Sequence, residues 1–184
     1  MSSSFASTLF TDCSNWNSHV ANIIVDDDFT ADIANNDSIV LSSGILSVGS
    51  NGLTNSALNY NRASNGRFET RIRNNTGTAG YSSLRWSFIA TPVSSICADF
   101  NSISSSRGIQ IRGLLNGNSV FTTSLFSHFS NTSIGSFGII SDTSFNSIEF
   151  IAQGTGSDDL FYIDNVKLAT DITLFADGFE GNGL

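Results

Sequence analysis

The sequence is poor in proline, lysine and charge. Of its 184 residues one is proline and one is lysine, and charged residues make up 13%, about half of the usual share. Sixteen acidic and eight basic residues give a formal net charge of −8. Nucleic-acid binding needs a basic stripe, and an anionic membrane surface repels so acidic a chain. The sequence therefore predicts no nucleic-acid partner and no membrane insertion.

Cysteine is scarce too. Cys13 and Cys97 are the only two, so the chain cannot carry a disulfide framework but can carry one bond. A bond that closes so long a loop would stabilise the fold by roughly 3–5 kcal/mol. The alternative is a pair of buried free thiols, and the sequence leaves both states open.

The opening residues do not resemble a targeting segment. Met1–Phe5 lacks the basic region and the sustained apolar region of a secretory signal. No apolar run is long enough to span a bilayer. We therefore expect a mature or trimmed chain, or export by another route.

Helical periodicity is missing as well, and Asp26–Ala34 is the only candidate helix. Short apolar runs separated by Ser, Asn and Gly recur instead, which predicts one domain built as a β-sandwich or barrel. The candidate strands are Ala21–Val25, Ser38–Leu41, Ile45–Val48, Ala57–Tyr60, Arg67–Arg73, Ser83–Ala90, Ile96–Phe100, Gly108–Leu115, Ser119–Leu125, Ser136–Ile140, Ser147–Ala152, Leu160–Leu168 and Ile172–Phe175.

Two of these runs carry finer signals. In Arg67–Arg73 charged side chains alternate with apolar ones and threonine, which predicts a half-exposed antiparallel strand. Asn116-Gly117 lies between two apolar runs and predicts a tight hairpin turn.

Carbohydrate binding needs exposed aromatic rings beside planar polar side chains. Tyr81, Trp86 and Tyr60 are the candidates for such a platform. Tyr81 follows a glycine, and we expect it in an exposed loop. Trp86 lies between Leu84 and Phe88 at every second position of a strand, so the three share one face. Packing in the core is therefore the favoured alternative for Trp86.

The segment Ile96–Leu168 closes with Phe161-Tyr162-Ile163-Asp164-Asn165-Val166. It resembles the jelly-roll domains of secreted and surface-anchored bacterial proteins. Its last strand resembles that of jelly-roll carbohydrate-binding modules, which have an Ile-Asp-Asp/Asn-Val core. The resemblance implies an all-β fold, a two-sheet antiparallel jelly-roll β-sandwich over residues 1–170, followed by a tail over residues 171–184.

In those modules the acid of the closing strand often holds a structural Ca²⁺ together with an acid of the opening segment. The resemblance therefore implies a calcium site at Asp164, with Asp28 and Asp26 as candidate partners. Carboxylate oxygens are the ligands that Ca²⁺ prefers. The alternative is that Asp164 caps backbone N–H groups at a bulge.

The tail Phe175-Ala176-Asp177-Gly178-Phe179-Glu180 resembles the endings of exported proteins of some gammaproteobacteria. Three interpretations stay open for it. The tail is a processing signal or the remnant of a following domain, or a final edge strand of its own domain, or a strand that pairs with another subunit. The assembly residues of the last interpretation are Ile172, Leu174, Phe175 and Phe179.

Catalytic groups are sparse. His19 and His128 are the only histidines, and no Gly-x-Ser-x-Gly elbow occurs. Glu69 and Glu149 are the only strand glutamates that could serve a glycan hydrolase. We therefore expect a protein that is not an enzyme, and a glycan hydrolase is a distant alternative.

Together these features favour a non-enzymatic β-sandwich that is extracellular or at the cell surface and resembles a carbohydrate-binding module. Its partner would be a glycan or a matrix component. The alternative is a structural subunit that binds copies of itself and forms an extracellular filament through its terminal strands. The scarcity of lysine, which often protects edge strands from pairing, favours that alternative.

Overall fold

The computed structural model describes residues 7–52, 58–74, 79–88, 91–101, 109–125, 134–152 and 158–172. These residues form thirteen strands and one short helix. In chain order they are β1 (Ser7–Phe10), α1 (Cys13–Asn17), β2 (Val20–Asp27), β3 (Ser38–Val40), β4 (Ile45–Ser50), β5 (Asn61–Ala63), β6 (Phe68–Arg73), β7 (Ser83–Phe88), β8 (Val93–Asn101), β9 (Ile109–Leu115), β10 (Asn118–Ser124), β11 (Ile134–Phe145), β12 (Ser147–Ala152) and β13 (Asp158–Ile172).

The strands form two sheets that pack face to face. The first sheet has the order β1-β11-β8-β13-β6-β5, and β2 also pairs with β13. The second sheet has the order β10-β9-β12-β7-β4-β3. All these strand pairs are antiparallel. The predicted two-sheet antiparallel jelly-roll sandwich is confirmed.

Aromatic rings fill the space between the sheets. The Trp86 ring on β7 meets Phe68 on β6 and Phe150 on β12 edge-on, with centroids 5.1 and 5.2 Å away. All three side chains are fully buried. Burying a phenylalanine side chain stabilises a fold by roughly 1.5–3 kcal/mol, and edge-to-face pairs add to this. The abundance of phenylalanine therefore reflects the core.

The turn at Asn116-Gly117 fixes the register of a hairpin at the place that the sequence predicted. Asn116 and Gly117 have φ angles of +52° and +84° and join β9 to β10, where Asn118 pairs with Leu115. Two successive positive φ angles match the twist of a hairpin, and asparagine and glycine tolerate them best. The predicted hairpin is confirmed.

The candidate helix Asp26–Ala34 is wrong. Strand β2 continues through Asp27, and the chain then turns at Phe29, which has a φ of +52°. The Asp27 carboxylate accepts a hydrogen bond from the Phe29 N–H at 2.9 Å. Such a local bond from an aspartate favours a turn over a helix.

The single described helix, α1, lies on the outer face of the first sheet. Asp12 caps it by accepting a hydrogen bond from the Ser14 N–H at 2.8 Å. Its Trp16 is fully buried and packs in a small second core with Phe10, Val20, Ile140 and Ala169. With β1 at one edge of the sheet and β2 on β13, α1 crosses the sheet as a strap.

A disulfide fixes this strap to the sheet. Cys13 of α1 is bonded to Cys97 of β8, with Cα atoms 5.7 Å apart. Of the two states that the sequence left open, the structure has the bonded one. Separately, no helix in the described ranges is long and apolar enough to cross a membrane.

Candidate functional site

The strap covers one half of the outer face of the first sheet and leaves the other half open. One half is apolar and lies under α1, Phe10 and the disulfide. The other half, formed by β5, β6, β13 and β8, is polar. We call it the open face, and its outward side chains are those of Arg62, Glu69, Arg71, Tyr162, Asp164, Asp99 and Asn101.

Strand register arranges these side chains in two rows. The first row joins Arg62 to Glu69, Glu69 to Tyr162, Tyr162 to Asn101, and Asn101 to Ile134. The second joins Asp164 to Asp99 and Asp99 to Ser136. Because side chains of one face recur every second residue, the inward neighbours Phe68, Phe161, Ile163 and Phe100 hold both rows from beneath.

Two arginines of the open face are bonded to one glutamate. Arg62 donates to Glu69 Oε2 at 2.7 Å from Nε and 2.5 Å from Nη2, and Arg67 Nε lies 3.4 Å from Glu69 Oε1. The Arg67 guanidinium also lies over the Tyr162 ring, 3.8 Å from its centroid, and Arg62 lies 4.7 Å over Tyr60. These cations are therefore held by partners on the protein itself.

The second row is held by Asn165. A bulge in β13 between Asp164 and Lys167 places Asn165 in the left-handed region, with a φ of +50°. Its backbone N–H donates to Asp164 Oδ1 at 2.8 Å, and its Nδ2 donates to Asp99 Oδ2 at 2.8 Å. The hydroxyl of Ser136 donates to Asp99 Oδ1 at 2.6 Å. Asn165 thus bridges two carboxylates on neighbouring strands.

The environment of Asp164 disfavours its charge. Burial is the largest cause that raises the pKa of its carboxyl group, and the negative charges of Asp99 and Asp28 raise it further. The hydrogen bond from Asn165 and the charge of Arg67 oppose this rise. A ligand with a hydrogen-bond donor or a positive charge would therefore be favoured beside Asp164.

These groups line one pocket of about 330 Å³, which we call the Asp164 pocket. Its described lining consists of Asn65, Gly66, Arg67, Asp99, Phe100, Asn101, Ile134, Tyr162, Asp164 and Asn165. The β5–β6 turn, where Asn65 and Gly66 have φ angles of +54° and +71°, forms one wall. The pocket combines an aromatic ring, a guanidinium, two carboxylates and several amides.

A larger groove of about 500 Å³ lies elsewhere, between the edges of the two sheets. Its lining is mostly apolar and includes Ile24, Val25, Ile45, Phe88 and Leu168. Such a lining offers few groups to orient a polar ligand. The Asp164 pocket is therefore the better candidate for a site, although it is smaller.

The expectation that Tyr81 is exposed is wrong. Tyr81 is fully buried, its backbone bridges to Ile72 of β6, and its ring lies against Gly49, where an added Cβ atom would come within 2.3 Å of it. The hydroxyl donates to Asp37 Oδ1 at 2.9 Å. Burial, followed by that hydrogen bond and the charge of Asp37, raises the pKa of Tyr81. Its ring cannot meet a ligand.

Trp86 does not form a platform either. It is fully buried between Phe68 and Phe150, and its indole Nε1 donates to Ser47 Oγ at 3.1 Å. The sequence alternative that Trp86 packs in the core with Leu84 and Phe88 is the one that the structure has. Tyr60, the third candidate, is half-buried on the open face beside Arg62 but does not line the Asp164 pocket.

The predicted calcium ligands have different surroundings in the structure. Asp26 pairs with Lys167, whose Nζ lies 2.8 Å from its Oδ2. Asp28 is close enough to Asp164 to affect its charge. In the part of the chain that the structure describes, no three acidic, histidine or cysteine side chains are grouped to hold a metal. Calcium binding at Asp164 stays a prediction.

The predicted assembly residues lie at or beyond the end of β13. Ile172 ends this strand and pairs with Val20 of the same chain. Leu174, Phe175 and Phe179 lie outside the described residues. At the other terminus, β1 pairs with β11 of its own chain through Phe10. Where they are described, the terminal strands thus pair within the molecule.

The two strand glutamates lie on different sheets. Glu69 is on β6 of the first sheet, and Glu149 is on β12 of the second, where it pairs with Arg85 and Arg112. Each is flanked by side chains that point into the core, so both glutamates point outwards, in opposite directions. A retaining glycosidase needs its two carboxyl groups about 5–5.5 Å apart, which this arrangement excludes for this pair.

Sequence reasoning missed most of the residues that line the Asp164 pocket. Asp164 was singled out, but Tyr162, Arg67, Asp99 and Asn165 were not. A signal existed for Tyr162, because it alternates with Phe161 and Ile163 in a strand whose core face is unmistakable. No local signal pairs Asp99 with Asp164, since that contact arises from strand register.

Comparisons with known proteins add little to this geometry. No family model matches the chain, and no curated protein is similar to it in sequence. Among solved structures, the chain is similar to a structure described as the CBM32 of AlyQ in complex with 4,5-unsaturated mannuronic acid, with a TM-score of 0.29 and 13% identity, covering 78% of this chain and 97% of that chain. At such values neither fold nor ligand can be transferred, and we infer function from the geometry alone.

Proposed function

We propose that this protein is a non-enzymatic glycan-binding β-sandwich and that its binding site is the Asp164 pocket. The observation that carries the proposal is the convergence of Tyr162, Arg67, Asp99 and Asp164 on the half of the sheet that the strap leaves open. Sugars combine apolar C–H faces with many hydroxyl groups. Aromatic rings match the first, and planar carboxylates and amides match the second.

Asp164 is the acceptor most available to a sugar hydroxyl. Within the described part of the chain, Asp164 accepts a hydrogen bond on Oδ1 from the Asn165 N–H. Asp99 already accepts from Ser136 and Asn165 on separate oxygens. A hydroxyl that approached Oδ2 of Asp164 would satisfy a partly desolvated acceptor, which is favourable.

The disulfide supports an extracellular or cell-surface location, because such bonds persist in oxidising compartments. The absence of a catalytic role is also part of the proposal. It is supported by Glu69 and Glu149, each of which is bonded to two arginines on its own face of the sandwich.

A glycan array followed by isothermal titration calorimetry tests the proposal. We expect binding to at least one glycan, and Tyr162→Ala should weaken it about tenfold or more because the stacking surface is lost. Tyr60→Ala is the matched control, since it removes the same side chain on the open face but outside the pocket lining.

Two results would contradict the proposal. One is a folded wild-type protein that binds no glycan on the array or in calorimetry. The other is a Tyr162→Ala variant that binds as tightly as the wild type while Tyr60→Ala does not, because the binding surface would then lie around Tyr60.

A further inference from the structure

The Asp164 pocket contains an unusual pair of like charges. Asp99 on β8 and Asp164 on β13 are direct cross-strand partners on the same face. Like charges directly opposite each other destabilise a sheet. Asn165 moderates this repulsion by donating to both carboxylates, but it is neutral. Asn165 therefore brings no positive charge to the pair.

The cations near this pair have other partners. Arg67, which lines the pocket, bonds to Glu69 and stacks on Tyr162. Lys167, three residues after Asp164, pairs with Asp26. No ion pair to either Asp99 or Asp164 occurs in the described ranges.

Negative charge outside the Asp99–Asp164 pair adds to the negative field in the pocket. Burial, Asp99 and Asp28, which follows β2, raise the pKa of the Asp164 carboxyl group, whereas the Asn165 hydrogen bond and the charge of Arg67 lower it. The whole chain carries a net charge of −8. A ligand anion would therefore enter an unfavourable field, and a ligand cation a favourable one.

We propose, building on the proposed glycan-binding function, that the Asp164 pocket selects sugars that carry a protonated amine, with Asp164 and Asp99 as the specificity-determining residues. An ammonium group is compact and has three donors, so it can bond to both carboxylates at once. The sugar ring that carries it can then lie against the Tyr162–Arg67 pair that forms the adjoining wall.

The geometry favours an amine over a metal ion. Asn165 directs N–H donors at one oxygen of each carboxylate, and an N–H group repels a metal cation that approaches those oxygens. Ca²⁺ also takes six to eight oxygen ligands, whereas an ammonium group has only three donors to satisfy.

The test is a calorimetric comparison of matched tetrasaccharides at mildly acidic pH and low ionic strength. The probes are the glucosamine tetramer, its fully N-acetylated form, the glucose tetramer and a glucuronate-containing oligosaccharide. We expect the glucosamine tetramer to bind about tenfold or more tighter than the others, and added salt to reduce the difference. Asp164→Asn and Asp99→Asn should each abolish most of this preference.

Asp142→Asn is the matched control, because Asp142 is an exposed aspartate on β11 outside the pocket lining, and the substitution removes the same charge. It should leave the preference unchanged. Thermal unfolding of each variant verifies that it is folded, and having two aspartate variants keeps the test valid if one of them does not fold.

The outcomes separate this inference from the proposed function. Equal or tighter binding of the acetylated, neutral or acidic sugar would overturn the amine preference but leave glycan binding intact. Binding of no sugar would overturn both. Displacement of the glucosamine tetramer by Ca²⁺, with a calcium-dependent rise in the unfolding temperature that Asp164→Asn removes, would replace the amine by a metal site and overturn the inference.

Discussion

At the residue scale, the outer faces of the sandwich hold two kinds of carboxylate. Glu69 and Glu149 are each about 5–6% exposed, and each is bonded to two arginines. Asp99 and Asp164 instead lie opposite each other and share a neutral donor, Asn165. The glutamates are therefore neutralised within the fold, whereas the aspartates line the Asp164 pocket.

The Glu149 cluster predicts a pH-dependent loss of stability. Burial opposes the ionisation of Glu149, but the hydrogen bond and charge of Arg112, with help from Ser83 and Arg85, outweigh it and lower the pKa of the carboxyl group. A lowered pKa in the folded state means that the ionised group stabilises the fold above the pKa of the unfolded chain. This stabilisation is lost as pH falls through the folded-state pKa.

Glu149→Gln should therefore lower the free energy of unfolding by about 1 kcal/mol at neutral pH, since the arginines are partly solvated. The variant should also lose less stability on acidification than the wild type. Urea unfolding at neutral and acid pH measures both effects, with Asp142→Asn as a control for charge alone. Identical urea midpoints for Glu149→Gln and the wild type at neutral pH would show that the cluster does not stabilise the fold.

At the element scale, the strap α1 determines which part of the first sheet is open. Its five residues cannot form a stable helix alone. It is held by the Asp12 cap, by the burial of Trp16 and by the disulfide to Cys97. Without the strap, an apolar area of the sheet around Ile140 and Ala169 would face water.

Removal of the disulfide should destabilise the protein and loosen the strap first. The bond spans 84 residues, for which loop entropy gives about 4.5 kcal/mol as an upper figure. In a Trp86→Phe background, Trp16 is the only tryptophan, and its emission should shift to the red under native conditions when the protein is reduced.

The Cys13→Ala/Cys97→Ala variant in the same background is the control, since reductant should not change its emission. A reduced Trp86→Phe chain that keeps both its unfolding midpoint and its Trp16 emission would show that packing alone holds the strap.

At the scale of the whole molecule, the first and last described strands each pair with strands of the same chain. β1 pairs with β11, and the last residue of β13, Ile172, pairs with Val20 of β2. The sandwich therefore does not depend on residues 173–184 for any of the contacts described. This matters for the self-assembling alternative, which assigns the terminal segments to a neighbouring subunit.

A chain truncated after Ile172 should keep the unfolding temperature of the full chain, because every described strand pair is retained. Both chains should be monomeric by light scattering across a range of concentrations. Filaments of the full chain that disappear on truncation would contradict this expectation and support the self-assembling alternative. A large fall in the unfolding temperature would show that the tail belongs to the core.

The strand pattern could be read from the sequence because it is local. The hairpin at Asn116-Gly117 was predicted from two residues, and the alternation in Arg67–Arg73 correctly placed Phe68 and Ile72 in the core. Boundaries were less accurate: the run Ala57–Tyr60 ends just before the strand that forms there, Asn61–Ala63. The strand β1 and the helix α1 were missed, because short terminal elements depend on their contacts with the sheet.

The sequence by itself determined an all-β sandwich or barrel, since alternation and turn residues act within a few positions of each other. The two-sheet jelly roll was implied by the resemblance of the closing strand. It left open whether Cys13 and Cys97 are bonded, and it assigned Tyr81 to the surface, although the sandwich buries it. Only the tertiary structure brought Asp99 beside Asp164, because strand register joins residues that are far apart in the chain. The all-β class thus follows from local patterns, whereas the candidate site follows from long-range pairing that local patterns do not encode.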